Sequence, residues 1–201
     1  GRFLFGCVIY SMEDTGMKNK CNKGNRLWLR PYKACDAAAI ISWCKDEEAF
    51  RKWSSDRWES YPITEADMNG KYLDNNGDCP DFDNFYPLTM LDGNEIVGHL
   101  ILRFVDEERT NLRLGLVIVD DSKRGMGYGK EMLLLTIKYA FEIMKVDKVN
   151  LGVFDNNMPA YHCYKAVGFK EIKMAEPETC NVCGQEWNVI ELELEKADYQ
   201  A

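Results

Sequence analysis

Three glycines at every second position, Gly125, Gly127 and Gly129, separate a strand-like segment from a long segment with helical periodicity. Glycine lets the backbone approach a ligand closely and adopt unusual dihedral angles. The first N–H groups of the following helix lack partners, and the helix dipole places partial positive charge there. This combination predicts a binding site for an anion such as a pyrophosphate.

The spacing of these glycines distinguishes among three phosphate-binding motifs. The dinucleotide fingerprint Gly-x-Gly-x-x-Gly needs its third glycine one residue beyond Gly129, and it normally opens the first strand–helix unit. The P-loop needs a glycine where Arg124 stands and a Ser or Thr where Glu131 stands. The pattern that fits is Arg-x-x-Gly-x-Gly, which ends at Gly129.

Two segments carry a resemblance to a known family. Residues 117–129, Val-Ile-Val-Asp-Asp-Ser-Lys-Arg-Gly-Met-Gly-Tyr-Gly, resemble the acetyl-CoA-binding motif of the GNAT superfamily of N-acetyltransferases, with Asp121 in place of the usual proline. Residues 157–169 resemble that family's Asn-x-x-Ala-x-x-x-Tyr-x-x-x-Gly-Phe stretch. The likeness extends from about Leu27 to Glu195, and the early Leu-Arg-Pro and Trp-rich helices are most similar to the branch that acetylates ribosomal-protein N-termini.

The resemblance implies transfer of an acetyl group from acetyl-CoA to a primary amine by direct attack on the thioester. In the family, backbone groups at the end of the strand bind the pantetheine arm, and the glycine loop binds the pyrophosphate. The residues to which it assigns cofactor binding are Val117, Ile118, Val119, Arg124, Gly125, Met126, Gly127, Tyr128, Gly129, Asn156 and Asn157. For the two asparagines, capping of the next helix is an equal alternative.

Tyr164 occupies the family position of the proton donor to the departing thiolate. A phenol with a pKa of about 10 is a credible donor. The alternative is a tyrosine that only packs against the cofactor or bonds its sulfur. Backbone N–H groups near residues 117–119 would polarise the thioester carbonyl.

The general base is the point of departure from the family. Members of the ribosomal branch often carry a Glu before the Leu-Gly of this strand, where this chain has Arg113. Asp155, Glu59 or Asp56 could act through water instead. A weak base favours amines of low pKa, because an α-amine near 8 needs less help than a lysine near 10.4.

The acceptor groove is predicted from the early helices, which shape it in the family. Trp53, Trp58 and Tyr61 are candidate substrate contacts, and so is Arg113. For the three aromatic residues, packing beneath the helices is the alternative. Ribosomal-protein N-termini, aminoglycosides, polyamines and free amino acids all remain open as acceptors, as does a non-catalytic acyl-CoA-binding or sensor module of the same fold.

The pair Cys180-x-x-Cys183 has the shape of half a zinc site. A structural zinc needs two further ligands, and the sequence has no second Cys-x-x-Cys and no paired His. A plain hairpin loop is therefore favoured, and no metal is expected. The eight cysteines, without a secretory signal, predict reduced thiols and a cytoplasmic protein.

Composition limits the partners. The chain has 201 residues and a net charge of -8, without the basic stripe of a nucleic-acid-binding protein. The acidic balance suits a cationic substrate, although solubility alone would explain it. No apolar run is long enough to span a membrane. The expected partners are acetyl-CoA and an amine acceptor (a protein N-terminus or a small molecule), with no nucleic acid and no membrane, and a homodimer is left open.

Hydrophobic periodicity and the order of the elements predict a single-domain α/β fold with a mixed sheet. The resemblance implies that the sheet is mostly antiparallel, with helices on both faces and a splayed central strand pair. We assign residues 1–26 to an N-terminal arm or expression remnant, 27–196 to the acetyltransferase domain and 197–201 to a tail. Leu112, Leu114, Leu116 and Ile118 alternate strictly, which predicts that they share one face of a strand.

Local signals place the remaining elements. Asp36 is expected to cap a helix that reaches Trp43, and further helices are predicted from Asp46 to about Trp58 and from Thr64 onward. The last predicted strands cover residues 169–174 and 187–195.

Overall fold

The computed structural model describes residues 27–176 and 178–199, so the predicted N-terminal arm over residues 1–26 lies outside the described part of the chain. The strands are β1 (Leu27–Pro31), β2 (Tyr86–Asp92), β3 (Glu95–Phe104), β4 (Asn111–Val119), β5 (Lys148–Phe154), β6 (Lys170–Glu171), β7 (Glu178–Val182) and β8 (Gln185–Glu195). The helices are α1 (Ala37–Ser42), α2 (Glu47–Ser54), α3 (Glu65–Asn69), α4 (Tyr128–Lys138) and α5 (Met158–Ala166).

One sheet contains all the described strands, in the order β1-β2-β3-β4-β5-β8-β6, with β7 also paired to β8. Every pair is antiparallel except β4 and β5, which confirms the predicted mixed, mostly antiparallel sheet. β4 and β5 pair only between Asn111–Arg113 and Lys148–Asn150, after which their ladder ends. This is the predicted splayed central pair, and the opening lies toward the carboxyl ends of both strands.

A bulge in β4 overturns one prediction about its side chains. Leu116 has φ 48°, and the β3–β4 register shifts between the pairs on either side of it. Because a bulge adds one residue to one strand, side chains beyond it change faces. Leu112 and Leu114 pack in one core and Leu116 and Ile118 in the other, so the prediction that all four share a face was wrong.

Two hydrophobic cores lie on opposite faces of the sheet, which confirms helices on both faces. The first includes side chains of α4, α5 and the inner strands, among them Leu100, Met132 and Leu151. The second lies beneath α1–α3 and includes Phe50 and Ile101. The bulge lets β4 contribute to both cores.

α4 forms because its apolar residues recur on one face. It begins after Gly127, which has left-handed dihedrals, and buries Met132, Leu133 and Ile137. A π-helical segment over Tyr139–Met144 continues it. The helix thus lies on the sheet with its amino terminus beside the opening between β4 and β5.

Three local predictions were wrong. Asp36 stands just before α1, but its fully buried side chain makes no capping hydrogen bond to that helix: it accepts from Arg30 (2.6 and 2.7 Å), from the Thr89 hydroxyl (2.8 Å) and from the backbone N–H of Lys33 (2.9 Å). α2 ends at Ser54 and not near Trp58, because the next residue takes positive φ. The strand expected over residues 169–174 shortens to two residues.

The Cys-x-x-Cys segment closes a hairpin between β7 and β8. Cys180 lies in β7, and Cys183 and Gly184 form the two-residue turn with φ 52° and 77°. Positive φ at both turn residues is the geometry that fits the twist of a hairpin. Among the described residues, no group of three or more His, Cys, Asp or Glu side chains is placed to hold a metal ion.

No helix in the described part of the chain is both long enough and apolar enough to cross a membrane. The Thr64 prediction was correct, since its hydroxyl and the Asp67 carboxylate form a reciprocal capping box at α3.

Candidate active site

A cleft of about 930 Å³ occupies the opening between β4 and β5. Its walls come from α2, the end of β4, the glycine loop, the first turn of α4 and the start of α5. The lining residues are Asp46, Glu48, Ala49, Lys52, Trp53, Val117, Ile118, Val119, Lys123, Arg124, Gly125, Gly127, Tyr128, Gly129, Lys130, Leu133, Asn156, Asn157, Pro159, Ala160, His162, Cys163 and Tyr164.

This cleft brings together the predicted cofactor residues with one exception. Met126 does not line it and is 58% exposed. The two motifs, at residues 117–129 and 157–169, are separated in sequence but face each other here, because α4 and α5 contact each other while α4 packs on β4 and α5 on β5. A Cβ on Gly129 would lie 3.5 Å from the Cys163 sulfur and 3.7 Å from Val119.

The glycine loop leaves open space in front of its backbone. Gly125 and Gly127 have φ 76° and 94°, and no atom lies within 4 Å of where their Cβ atoms would be. The Tyr128 hydroxyl donates to Asp92 at 2.6 Å and so attaches the loop to the β2–β3 turn. Left-handed dihedrals at Gly125 and Gly127 turn the chain ahead of α4, so the amino terminus of this helix, with its partial positive charge, lies at the cleft.

The charges beside this loop are positive. Lys123, Arg124 and Lys130 line the cleft at the amino terminus of α4. Lys123 also pairs with Glu95 at 2.6 Å, whereas Arg124 is exposed. Cations and a helix amino terminus acting together attract a phosphate anion.

Tyr164 lies on α5 and lines the inner part of the cleft. It is 7% exposed, its ring packs against Phe169, and its hydroxyl makes no hydrogen bond to another described residue. Burial raises the pKa of Tyr164 well above its ordinary value. The phenol is therefore protonated at neutral pH and available as a hydrogen-bond donor.

Asn156 and Asn157 line the cleft at the start of α5. The backbone N–H of Asn157 donates to the carbonyl of Phe154 at 2.9 Å, but its side chain makes no capping hydrogen bond. The capping alternative therefore does not describe the Asn157 side chain, which remains available to a ligand.

The predicted acceptor residues have different locations. Trp53 lines the cleft and donates from Nε1 to the carbonyl of Leu116 at 2.8 Å, so it supports the bulge. Trp58 is buried behind it, with its ring stacked on Trp53 at 5.7 Å. Tyr61 packs on Phe50, and neither Trp58 nor Tyr61 is among the lining residues.

Arg113 lies at the inner end of the opening and is held by a carboxylate that sequence reasoning missed. Its two terminal nitrogens donate to the two oxygens of Glu191, each at 2.7 Å, and one also donates to Asn150 at 2.9 Å. These hydrogen bonds raise the pKa of Arg113. Glu191 is 5% exposed, and the alternation of β8 gave no signal that this one glutamate would be buried.

None of the three carboxylates suggested as a general base lines the cleft. Asp56, Glu59 and Asp155 are exposed, and Asp155 accepts a hydrogen bond from Asn188 at 2.7 Å. The lining acids are on α2, where Asp46 caps the helix by accepting from Ala49. Sequence reasoning missed the contribution of α2's charged face because periodicity predicts a helix but not its orientation.

Comparison with known proteins identifies the family of this chain. Residues 39–169 match the model of the acetyltransferase (GNAT) family. An N-acetyltransferase 9-like protein of Nematostella vectensis is 25% identical over 162 residues, which cover 76% of this chain and 79% of that protein. A spermine/spermidine N(1)-acetyltransferase of Bacillus subtilis (strain 168) is 34% identical over 67 residues, 32% of this chain and 44% of that protein.

The fold is shared with solved structures. A spermidine N-acetyltransferase from Vibrio cholerae, solved in complex with CoA and spermine, has a TM-score of 0.71 at 18% identity, covering 86% of this chain and 97% of that one. The family match spans more than half of the chain and includes the glycine loop, β4 and α5. The chain belongs to the GNAT family of acetyltransferases, which transfer an acetyl group from acetyl-CoA to an amine.

Proposed function

We propose that the cleft holds acetyl-CoA with its pyrophosphate on the loop Arg124–Gly129 and its thioester between β4 and β5. The observation that carries this proposal is that one continuous cleft is lined by the glycine loop, the end of β4 and Tyr164. A phosphate-binding terminus, an unpaired strand edge and a buried phenol are the groups that pyrophosphate, pantetheine and a leaving thiolate each require.

The reaction that fits is direct attack. A neutral amine adds to the thioester carbon, while backbone N–H groups near Val117–Val119 stabilise the developing negative charge on oxygen. The C–S bond then breaks, and the CoA sulfur takes a proton from the hydroxyl of Tyr164 or is stabilised by its hydrogen bond. The amine nitrogen loses one proton to solvent, and solvent returns one proton to Tyr164 or to the thiolate, so the products are an amide and free CoA.

Because none of the three candidate general bases lines the cleft, the site favours an amine that is already partly neutral at the working pH. At pH 7.5 about one quarter of an α-amine with a pKa of 8 is neutral, compared with about one in a thousand for a lysine at 10.4. Since Asp56, Glu59 and Asp155 do not line the cleft, any of them would have to act through water. We therefore propose an α-amine acceptor, as in the branch that acetylates protein N-termini.

Cellular setting and organisation are part of the same proposal. Cysteines 35, 44, 79, 163, 180 and 183 are free, which fits a reducing cytoplasm.

We keep residues 27–196 as the acetyltransferase domain, residues 1–26 as an arm and 197–201 as a tail. A homodimer is the assembly to test by light scattering.

The test is amine-dependent release of CoA thiol from acetyl-CoA, with Tyr164→Phe as the diagnostic variant. Removing the hydroxyl is expected to lower kcat by about 100-fold or more with little change in KM for acetyl-CoA, because proton donation acts in the transition state. Tyr139→Phe is the matched control: Tyr139 is also partly buried, burial also raises its pKa, and it does not line the cleft.

Two outcomes would contradict the proposal. If both tyrosine variants keep full turnover, the proton-donor role of Tyr164 is wrong. If the protein binds CoA but no peptide, polyamine or amino acid releases thiol, the chain is the non-catalytic acyl-CoA-binding module considered above.

A further inference from the structure

Three guanidinium groups gather on the face of the sheet opposite α4, where β4 and β5 begin to part. Arg103 of β3 and Arg113 of β4 are direct partners in the antiparallel ladder. Arg57, in the segment after α2, reaches over β4: its Nη2 lies 3.9 Å from where a Cβ of Gly115 would be. Like charges placed opposite each other in a sheet are destabilising.

Only one of the three charges is neutralised by the chain as described. Arg113 has its bidentate pair with Glu191, and Glu178 adds a further attraction. Arg57 and Arg103 have no carboxylate within ion-pair distance among residues 27–176 and 178–199. Burial lowers the pKa of Arg103, and the neighbouring positive charges lower it further.

The location of these charges connects them to the reaction. The β4–β5 ladder ends at the pair Arg113–Asn150, and the next residues on this face are Gly115 and Gly152. Gly152 is covered by charged side chains, since its Cβ would lie 2.7 Å from a Glu191 oxygen and 2.9 Å from an Arg113 nitrogen, whereas Gly115 is covered first by Ile101 at 3.2 Å and then by Arg57. None of the three arginines lines the cleft itself; they lie beside the point where β4 and β5 part, on the face of the sheet that α1–α3 cover.

The two adjoining elements reinforce this placement. Trp53, which lines the cleft, is hydrogen-bonded to the carbonyl of Leu116, the residue after Gly115. Arg57 follows Trp53 by four residues. The same part of the chain therefore forms the α2 wall of the cleft and places the Arg57 guanidinium over β4. Cys79 lies near both Arg57 and Arg103 and completes the border.

We propose that Arg57 and Arg103 bind an anionic group of the acceptor, so that the substrate is a primary amine with a carboxylate close to it. This inference rests on the proposed acetyltransferase function and names its substrate class. A carboxylate between two guanidiniums forms charge-assisted hydrogen bonds and relieves their mutual repulsion. The net charge of the whole chain is -8, which by itself would attract a polyamine. At this place, however, a polyamine would add positive charge beside two arginines and would be repelled.

The experiment compares four acceptors by thiol release: a peptide with an amino-terminal Ala-Glu, the same peptide with Ala-Gln, free glutamate, and spermine. The acidic acceptors are expected to exceed their neutral or cationic counterparts in kcat/KM by about tenfold or more, since a hydrogen bond to a charged group is worth about 1.5–3 kcal/mol. The Ala-Glu and glutamate arms separate a protein N-terminus from a free amino acid as the source of the carboxylate.

Variants test which side chains supply the preference. Arg57→Gln and Arg103→Gln should each reduce the Glu-over-Gln ratio by about tenfold, mainly through KM for the acceptor, and Arg57→Lys should retain most of it. Arg109→Gln is the matched control, because Arg109 is an exposed arginine that pairs with Asp81 and Asp83 away from the cleft. Thermal unfolding and CoA binding establish that each variant is folded.

The results separate this inference from the proposed function. If acceptors are acetylated but spermine or Ala-Gln is preferred, or if both Gln variants keep the Glu-over-Gln ratio, the acidic acceptor is wrong and the acetyltransferase stands. If no acceptor releases thiol, the proposed function fails and this inference fails with it. A ratio that falls in both Gln variants and survives in Arg109→Gln supports the inference.

Discussion

The two sides of the cleft are built in different ways. The proposed donor side consists of two contiguous motifs, residues 117–129 and 157–169, which supply most of the residues that line the cleft. The proposed acceptor side combines Trp53 of the cleft wall with arginines from the segment after α2, from β3 and from β4, which lie outside that lining. The donor side must recognise one cofactor and can be encoded locally, whereas the acceptor side depends on how distant segments pack.

The acceptor side also depends on a packed support. The rings of Phe50, Trp53 and Trp58 lie 5.7–6.1 Å from one another beneath the helices, in the range of favourable aromatic pairs. Of these rings only Trp53 reaches the cleft, where its indole N–H holds the bulge of β4. Trp58 and Tyr61, which were predicted to contact the substrate, therefore pack beneath the cleft wall and do not line the cleft.

After Tyr164→Phe, the largest effect is also expected on the donor side, from Gly127→Ala. At φ 94° an alanine is strained, and relief of that strain would turn the backbone N–H groups away from the pyrophosphate. We expect the Kd for CoA to rise about 10- to 100-fold, as measured by calorimetry, because hydrogen bonds to a charged group are lost.

Gly184→Ala is the control for that measurement. Gly184 also has positive φ (77°) and open space around it, but it lies in the β7–β8 turn. Both variants should lose about 1–2 kcal/mol of stability from the same backbone strain, and only Gly127→Ala should weaken CoA binding. Equal CoA affinity in the two variants would mean that the loop does not bind the pyrophosphate.

An intermediate effect is expected where the two sides meet, from Trp53→Phe. The substitution keeps an aromatic ring but removes the hydrogen bond to Leu116 that supports the bulge. The free energy of unfolding should fall by about 1 kcal/mol or more, and kcat should fall by about tenfold because the strand edge facing the thioester is no longer held.

Trp28→Phe provides the comparison, since Trp28 likewise donates from Nε1 to a backbone carbonyl, that of Gly93, at 3.0 Å on the outer strand β1. Denaturant unfolding should show a loss of stability in both variants. If Trp28→Phe lowers kcat as much as Trp53→Phe, the bulge has no special role in turnover.

The smallest effect concerns His99 in the core beneath α1–α3. His99 is fully buried, its Nε2 lies 2.9 Å from the Tyr72 hydroxyl, and burial lowers its pKa to about 3. Since the unfolded value is about 6.5, the unfolded chain binds one more proton between pH 6.5 and about 3, and stability falls as the pH falls through that range. Between pH 7.0 and 5.5 the loss is about 1 kcal/mol.

Urea unfolding at these two pH values measures the effect. His99→Gln should be less stable at pH 7.0 but should lack this pH-dependent loss, whereas His162→Gln should keep it, because His162 is exposed on α5. The chain has only these two histidines, so a slope that persists in His99→Gln would assign the proton to another group.

The structure also shows where local reasoning stops. The alternation from Leu112 to Ile118 correctly predicted a strand there, yet the bulge at Leu116 reverses the faces of the side chains beyond it, and no local signal marked that residue. Asp36 is a residue type that often caps helices, but its carboxylate instead accepts hydrogen bonds from Arg30 of β1 and Thr89 of β2. In both cases contacts distant in sequence overrode the local preference.

The sequence by itself determined the cofactor. Glycine spacing before a helix sets backbone dihedrals and exposes N–H groups, and these are local properties that a motif can record. The order of strands and helices also determined the mixed sheet, and the resemblance to the family implied its splayed pair.

Only the tertiary structure decided the acceptor side. Arg113 was identified from its position in β4, but its pairing with Glu191 joins residues 78 positions apart, and Arg57 and Arg103 acquired a common location only when α2, β3 and β4 packed together. Side-chain charges interact through space over a few ångströms. The role of each charge therefore depends on its spatial neighbours, which the order of residues along the chain does not specify.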